Sequence, residues 1–138
     1  MSDYLKLVKT PKLYFYDTGV ACSLLNIIQA EQIATHFLRG ALFENLVIND
    51  FVKNSLNKGQ EPQLSFWRDK TGNEVDLIEL IGGKQYAYEI KSGSTYSTDY
   101  FKGLRYWATH SHAETDACNV IYTGEKSLKT SFGNVLSW

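Results

Sequence analysis

The stretch EVDLIELIGGKQYAYEIKS, residues 74–92, leaves the chain few choices. Two strand-like runs are separated by Gly82–Gly83 alone, and a two-residue glycine loop is the signature of a tight β-hairpin. Ile81 then faces Lys84, and the rest of the register follows from it. Asp76 comes opposite Glu89, and Glu74 opposite Lys91. Side chains alternate along a strand, so Glu89 and Lys91 share one face while Tyr86, Tyr88 and Ile90 take the other. Directly opposed residues lie about 5 Å apart at Cβ. Two carboxylates at that distance repel, and a sheet gains nothing from such a pair by itself.

The hairpin sits within a longer alternation of elements. Upstream, QLSFWRD (63–69) followed by KTGN reads as a strand and turn, making a three-strand meander with the hairpin. A long helix precedes it, from Ala34 or Arg39 to Asn57 and stopped at Gly59. Its apolar residues nearly encircle it, which predicts cover on most sides. Before that, Leu13 to Tyr16 reads as β-like, and Asp17 or Thr18 is placed to cap a short helix over 19–25. Downstream, STDYFKGLRYWATH (97–110) reads as a helix capped by Ser97 or Thr98, with the stripe Tyr100, Phe101, Leu104, Trp107 and Ala108. CNVIYTG (118–124) is a short apolar strand, and the tail SFGNVLSW is weakly strand-like. The order predicts an α/β sandwich around a mixed sheet.

Bulk properties narrow the function classes. The chain has 138 residues, enough for one domain with a real core, and a net charge of -1, which argues against binding nucleic acid over its whole surface. A local basic groove remains compatible, since charge acts over a Debye length of roughly 8 Å. Cys22 and Cys118 follow no metal spacing, so free thiols in a reducing cytoplasm are expected. No apolar run reaches the ~18 residues of a membrane span.

A divalent cation between Asp76 and Glu89 would turn their repulsion into attraction. Mg²⁺ favours few carboxylates together with waters and phosphate oxygens. Lys91 would then stand where it helps orient or deprotonate a water. Glu44 is a further oddity, with Ala41, Val47, Ile48 and Phe51 as its helical neighbours. A carboxylate in such surroundings costs several kcal/mol unless paired or metal-bound. The plainer readings are a solvated sheet face for Glu89 and Lys91, and for Glu44 a helix-surface carboxylate paired with a Lys or Arg of another strand. His36, His110 and His112 read as surface residues, and Trp67 and Trp107 as core. Arg68, Lys70, Lys102 and Arg105 are candidates for a phosphate-contacting groove, against the alternative of ordinary solvated charge.

The order Glu44 on a first helix, Asp76 on a second strand, and Glu89-x-Lys91 on a third resembles the PD-(D/E)xK nuclease superfamily. TPKLYFYDTGVACSLL, GALFENLVINDFVK, FWRDKTGNEVDLIEL and YEIKSG together look like a C-terminal domain attached to a family of prokaryotic AAA+-type ATPases. The resemblance covers about residues 5–125. It implies a restriction-endonuclease-like α-β-β-β-α-β core over 31–138. It also implies an extension over 1–30 left from the winged-helix region of a larger ATPase, with the Lys-rich YLKLVKTPK as its exit. The chain lacks G-x-x-x-x-G-K-[ST], so it is not the ATPase part. The implied activity is Mg²⁺- or Mn²⁺-dependent hydrolysis of DNA phosphodiesters in the cytoplasm. Asp76, Glu89 and the Ile90 carbonyl would hold the metal, Lys91 would activate water, and Glu44 would orient it or hold a second ion. The implied partners are DNA and the ATPase and winged-helix parts of the longer chain. Two departures stand out. VD replaces the leading PD, and the second helix offers Asp99, Lys102 and Arg105 where many active relatives carry Gln or another polar group. The competing expectation is a non-catalytic module for DNA binding, protein contacts or oligomerisation.

Overall fold

The computed structural model describes residues 11–138, which divide into two compact units. The first comprises Gln63–Glu89 and Gly93–Trp138, and the second Lys12–Pro62 with Ile90–Ser92. The expected winged-helix exit at YLKLVKTPK falls largely on residues outside those described.

The first unit is built on a six-stranded mixed sheet in the order β1-β2-β3-β4-β6-β5. Its strands are β1 (Leu64–Arg68), β2 (Glu74–Ile81), β3 (Lys84–Lys91), β4 (Cys118–Tyr122), β5 (Leu128–Thr130) and β6 (Gly133–Ser137). β1, β2 and β3 form the antiparallel meander read from the sequence. β6 runs parallel to β4 and antiparallel to β5. The hairpin turns on Gly82 and Gly83 at φ 57° and 81°. Two successive left-handed residues are what a two-residue turn needs to match strand twist, and glycine adopts them without steric cost.

The helix expected over 97–110 begins as a 3-10 turn, Thr98–Phe101, with the Ser97 hydroxyl accepting from the Asp99 N–H. It continues as α4, Lys102–Ser111. Its inner stripe joins the core of the unit: Phe101, Leu104 and Trp107 pack with Val75, Ile78, Ala87, Val120 and Val135. Each such large side chain taken from water contributes about 1.5–3 kcal/mol. Gly103 allows α4 to approach closely, since a Cβ there would lie 2.5 Å from the Glu74 carbonyl oxygen of β2.

The second unit holds α1 (Thr18–Leu24), α2 (Ala30–Thr35) and α3 (Arg39–Asn57) around a small core of Ala21, Ile27 and Leu42. Asp17 caps α1 by accepting from the Gly19 N–H at 2.7 Å. Two expectations are corrected here. The apolar run Leu13–Tyr16 forms no strand. Its Phe15 N–H and C=O bond the side chain of Asn45 at 2.7 and 3.0 Å, and Asn49 donates to the same carbonyl. The long helix runs Arg39–Asn57, the later of the two expected starts, because a separate α2 ends at Thr35 and His36 follows in extended backbone. Nor is α3 covered all round, because Leu46 and Leu56 are 42% and 54% exposed. The element order α3, β1, β2, β3, α4, β4 is the one expected, with β5 and β6 added beyond it.

Candidate functional site

The β2–β3 ladder runs unbroken from Ile81↔Lys84 to Leu77↔Tyr88. Asp76 and Glu89 are the next residues of β2 and β3 beyond it. Asp76 is buried at 9% exposure, and Glu89 is half-buried. On the other side of β2 the pairing is irregular. Ser65 pairs with Ile78 and Trp67 with Val75, so Asp76 and Leu77 together oppose the single residue Phe66. This is a β-bulge, which bends a strand and re-aims its side chains, and bulges are over-represented beside functional sites. It also explains why Val75 and Ile78, three apart, enter the same core cluster.

The environment of β2 settles its other acidic residues. Glu74 accepts from Arg68, its partner on β1, at 2.7 and 2.8 Å. Tyr88 donates to Glu79 at 3.0 Å, and burial together with that carboxylate pushes its phenol well above the ordinary range. Asp69 accepts from the N–H and side chain of both Thr71 and Asn73 at 2.8–2.9 Å. Burial works to raise its pKa, but the four donors prevail and lower it from 3.8 to about 2. Asp69 thus closes the 69–73 turn that delivers the chain into β2.

Glu44 lies in the second unit, on α3. Its Oε1 accepts from Lys12 Nζ at 3.1 Å and from Tyr14 Oη at 2.7 Å. The cation is a Lys, as the plainer reading had it, but it lies in no strand, and a tyrosine joins it. Ile90 is buried, and Lys91 follows it in β3, two residues beyond Glu89. In the same unit Arg39 donates to the Ser92 carbonyl at 2.7 Å. Among the described residues no group of three or more His, Cys, Asp or Glu side chains is placed to hold a metal ion. The pair Asp76 and Glu89 nevertheless offers the hard oxygen donors that Mg²⁺ takes, two carboxylates with room in the coordination sphere for waters or phosphate. The residues present therefore fit a two-carboxylate centre rather than an all-protein cage.

A family model described as "Domain of unknown function (DUF4143)" matches residues 39–138. The chain belongs to the DUF4143 family. Two curated relatives are the uncharacterized proteins Mb2031c of Mycobacterium bovis and Rv2008c of Mycobacterium tuberculosis, each 31% identical over 87 residues. The match takes in 63% of this chain and 19% of either relative, so it spans about a fifth of their length. No solved structure matches.

Sequence reading of this DUF4143 chain missed Asn45 and Asn49, the buried amides that fasten residue 15. Their signal was available as two Asn at i, i+4 on the helix face shared with Leu42, Leu46 and Val52, since a buried amide has to find partners. Tyr106 and Phe132, beside Lys102 and Arg105, were likewise not singled out. His110 and His112 are exposed as expected, with a His110 ring nitrogen 2.8 Å from the Tyr106 carbonyl oxygen. Trp107 is in the core and Trp67 packs against it. No described helix is long and apolar enough to cross a membrane.

Proposed function

We propose that the chain is a nuclease-like module of a larger ATP-binding protein, with a restriction-endonuclease-like core and a Mg²⁺- or Mn²⁺-dependent phosphodiester-hydrolysing site. The observation that supports this reading is the β2–β3 register, Leu77 opposite Tyr88, which continued by one residue would set Asp76 across from Glu89, a pair of carboxylates whose repulsion a divalent cation would turn into attraction. Asp76 and Glu89 would hold the ion, helped by the carbonyl of Ile90. When bound, the ion supplies charge neutralisation for a phosphate and makes a water more acidic. Lys91, on the same strand and two residues from Glu89, would hold or move the proton of the attacking water. DNA is the proposed substrate, and the ATPase part of the longer chain the proposed partner.

Calorimetric titration with Mn²⁺ tests the site. The wild type is expected to bind, and Asp76→Asn and Glu89→Gln each to lose at least tenfold in affinity while remaining folded by circular dichroism. A folded wild type that takes up no Mn²⁺ would overturn the reading for this chain. A second reading, a non-catalytic module for DNA or protein contacts, is favoured by one observation. Glu44, the third carboxylate, is engaged by Lys12 and Tyr14. Metal binding without cleavage by the full-length protein would decide for it.

A further inference from the structure

We infer that the outer face of α4 is a docking surface for the phosphodiester backbone of a nucleic acid strand. Lys102, Arg105, Tyr106 and Thr109 follow i, i+3, i+4, i+7 spacing, so they line one face of α4. With Thr98 and Phe132 they border a groove of about 410 Å³. Both cations are exposed, and neither makes an ion pair among the described residues. The Arg105 guanidinium lies 4.7 Å from the centre of the Phe132 ring. Contact with a ring face holds a guanidinium in place without using its donors, which stay available to an anion. Thr98 adds a hydroxyl, another side-chain type commonly found on phosphates, while the Thr109 hydroxyl donates to the Arg105 carbonyl at 2.9 Å. Asp99 also borders the groove. It belongs to the first turn of the 3-10 segment, where a carboxylate meets the positive end of the helical array. Two cations against one carboxylate leave the groove positive in a chain whose net charge is -1.

The groove also stands in a defined relation to β2. Gly103, between Lys102 and the buried Leu104, abuts the Glu74 carbonyl, two residues before Asp76. The inference rests on the nuclease-like reading for its substrate class, but not for its test.

Fluorescence anisotropy with labelled single-stranded and duplex oligonucleotides, in EDTA, measures binding without any metal. The wild type is expected to bind in a salt-dependent way. The double variant Lys102→Glu/Arg105→Glu is expected to lose about tenfold or more in affinity. Its slope of log K against log salt should be shallower by roughly 1.4 for single strands or 1.8 for duplex, as two lost phosphate contacts require. Thr109→Lys, adding a cation to the same face, is expected to tighten binding and steepen the slope. The arm in which the wild type binds more tightly at equal salt identifies the preferred form of nucleic acid. Equal affinity and slope in the wild type and both variants, or no binding by the wild type, would overturn the proposal. Either result leaves the Mn²⁺ titration standing, so the two failures are distinguishable.

Discussion

Asp69 shows at the scale of one residue how a buried carboxylate can be structural. Its pKa of about 2 lies below the 3.8 of the unfolded chain, so its charged form is favoured by folding. That contribution is present in full above about pH 4 and is lost as the pH falls through 2. Urea unfolding of the wild type and Asp69→Asn between pH 7 and pH 2 should show the variant less stable at neutral pH. The gap should narrow only below pH 4, and a constant gap would place the stabilisation elsewhere. The two thiols make a second contrast. Cys118 is 1% exposed and burial pushes its pKa up, whereas Cys22 is half-buried. A thiol reagent should label Cys22 in the native protein and Cys118 only on unfolding.

At the scale of elements, two close approaches are expected to be costly to disturb. Alanine favours a helix over glycine by about 1 kcal/mol. At Gly103, however, its Cβ would meet the Glu74 carbonyl at 2.5 Å, and neither backbone can yield locally. Moving α4 away from β2 costs about 1–3 kcal/mol as overpacking. Gly103→Ala should therefore lower the melting temperature by a few degrees, against helix propensity. Asn45→Leu should cost about 1–3 kcal/mol in chemical denaturation, since it orphans the Phe15 N–H. These cases also mark what the sequence could reveal. The bounds of β2 and β3 were legible because a double-glycine turn fixes register from within the hairpin. The run at 13–16 misled because its backbone partners are the side chains of Asn45 and Asn49, 30 and 34 residues away. Strand β5 is three residues long and half polar, too short for any period to register. The pairing of Glu44 with Lys12 and Tyr14 is a long-range contact of the same kind. The bulge at Asp76 was invisible because it exists only in the count of residues against β1.

At the scale of the molecule, the two units differ in how much they bury. Among the described residues the first buries thirteen apolar side chains, ten of them in one cluster, and the second buries six, with Leu13, Tyr16, Val20, Leu24, Ile28 and Phe37 exposed. A small core supports little local stability. In native-state hydrogen exchange, the amides of β2 and β4 should be the slowest, and those of α1 and α2 should exchange by local opening. A pocket of about 400 Å³ lined mainly by apolar residues of the second unit should bind a solvatochromic dye without unfolding. The bulge carries a consequence for how such a chain can change length. β2 is one residue out of step with β1 across Asp76, yet in step with β3 from Leu77 onward. Deleting one residue there would mend one ladder and shift Glu74 and Val75 along the other. Insertions and deletions should accordingly be tolerated in the 58–63 connection and rejected within β2 and at its two-residue turn. A library of single-residue deletions, scored for soluble expression, would draw that boundary.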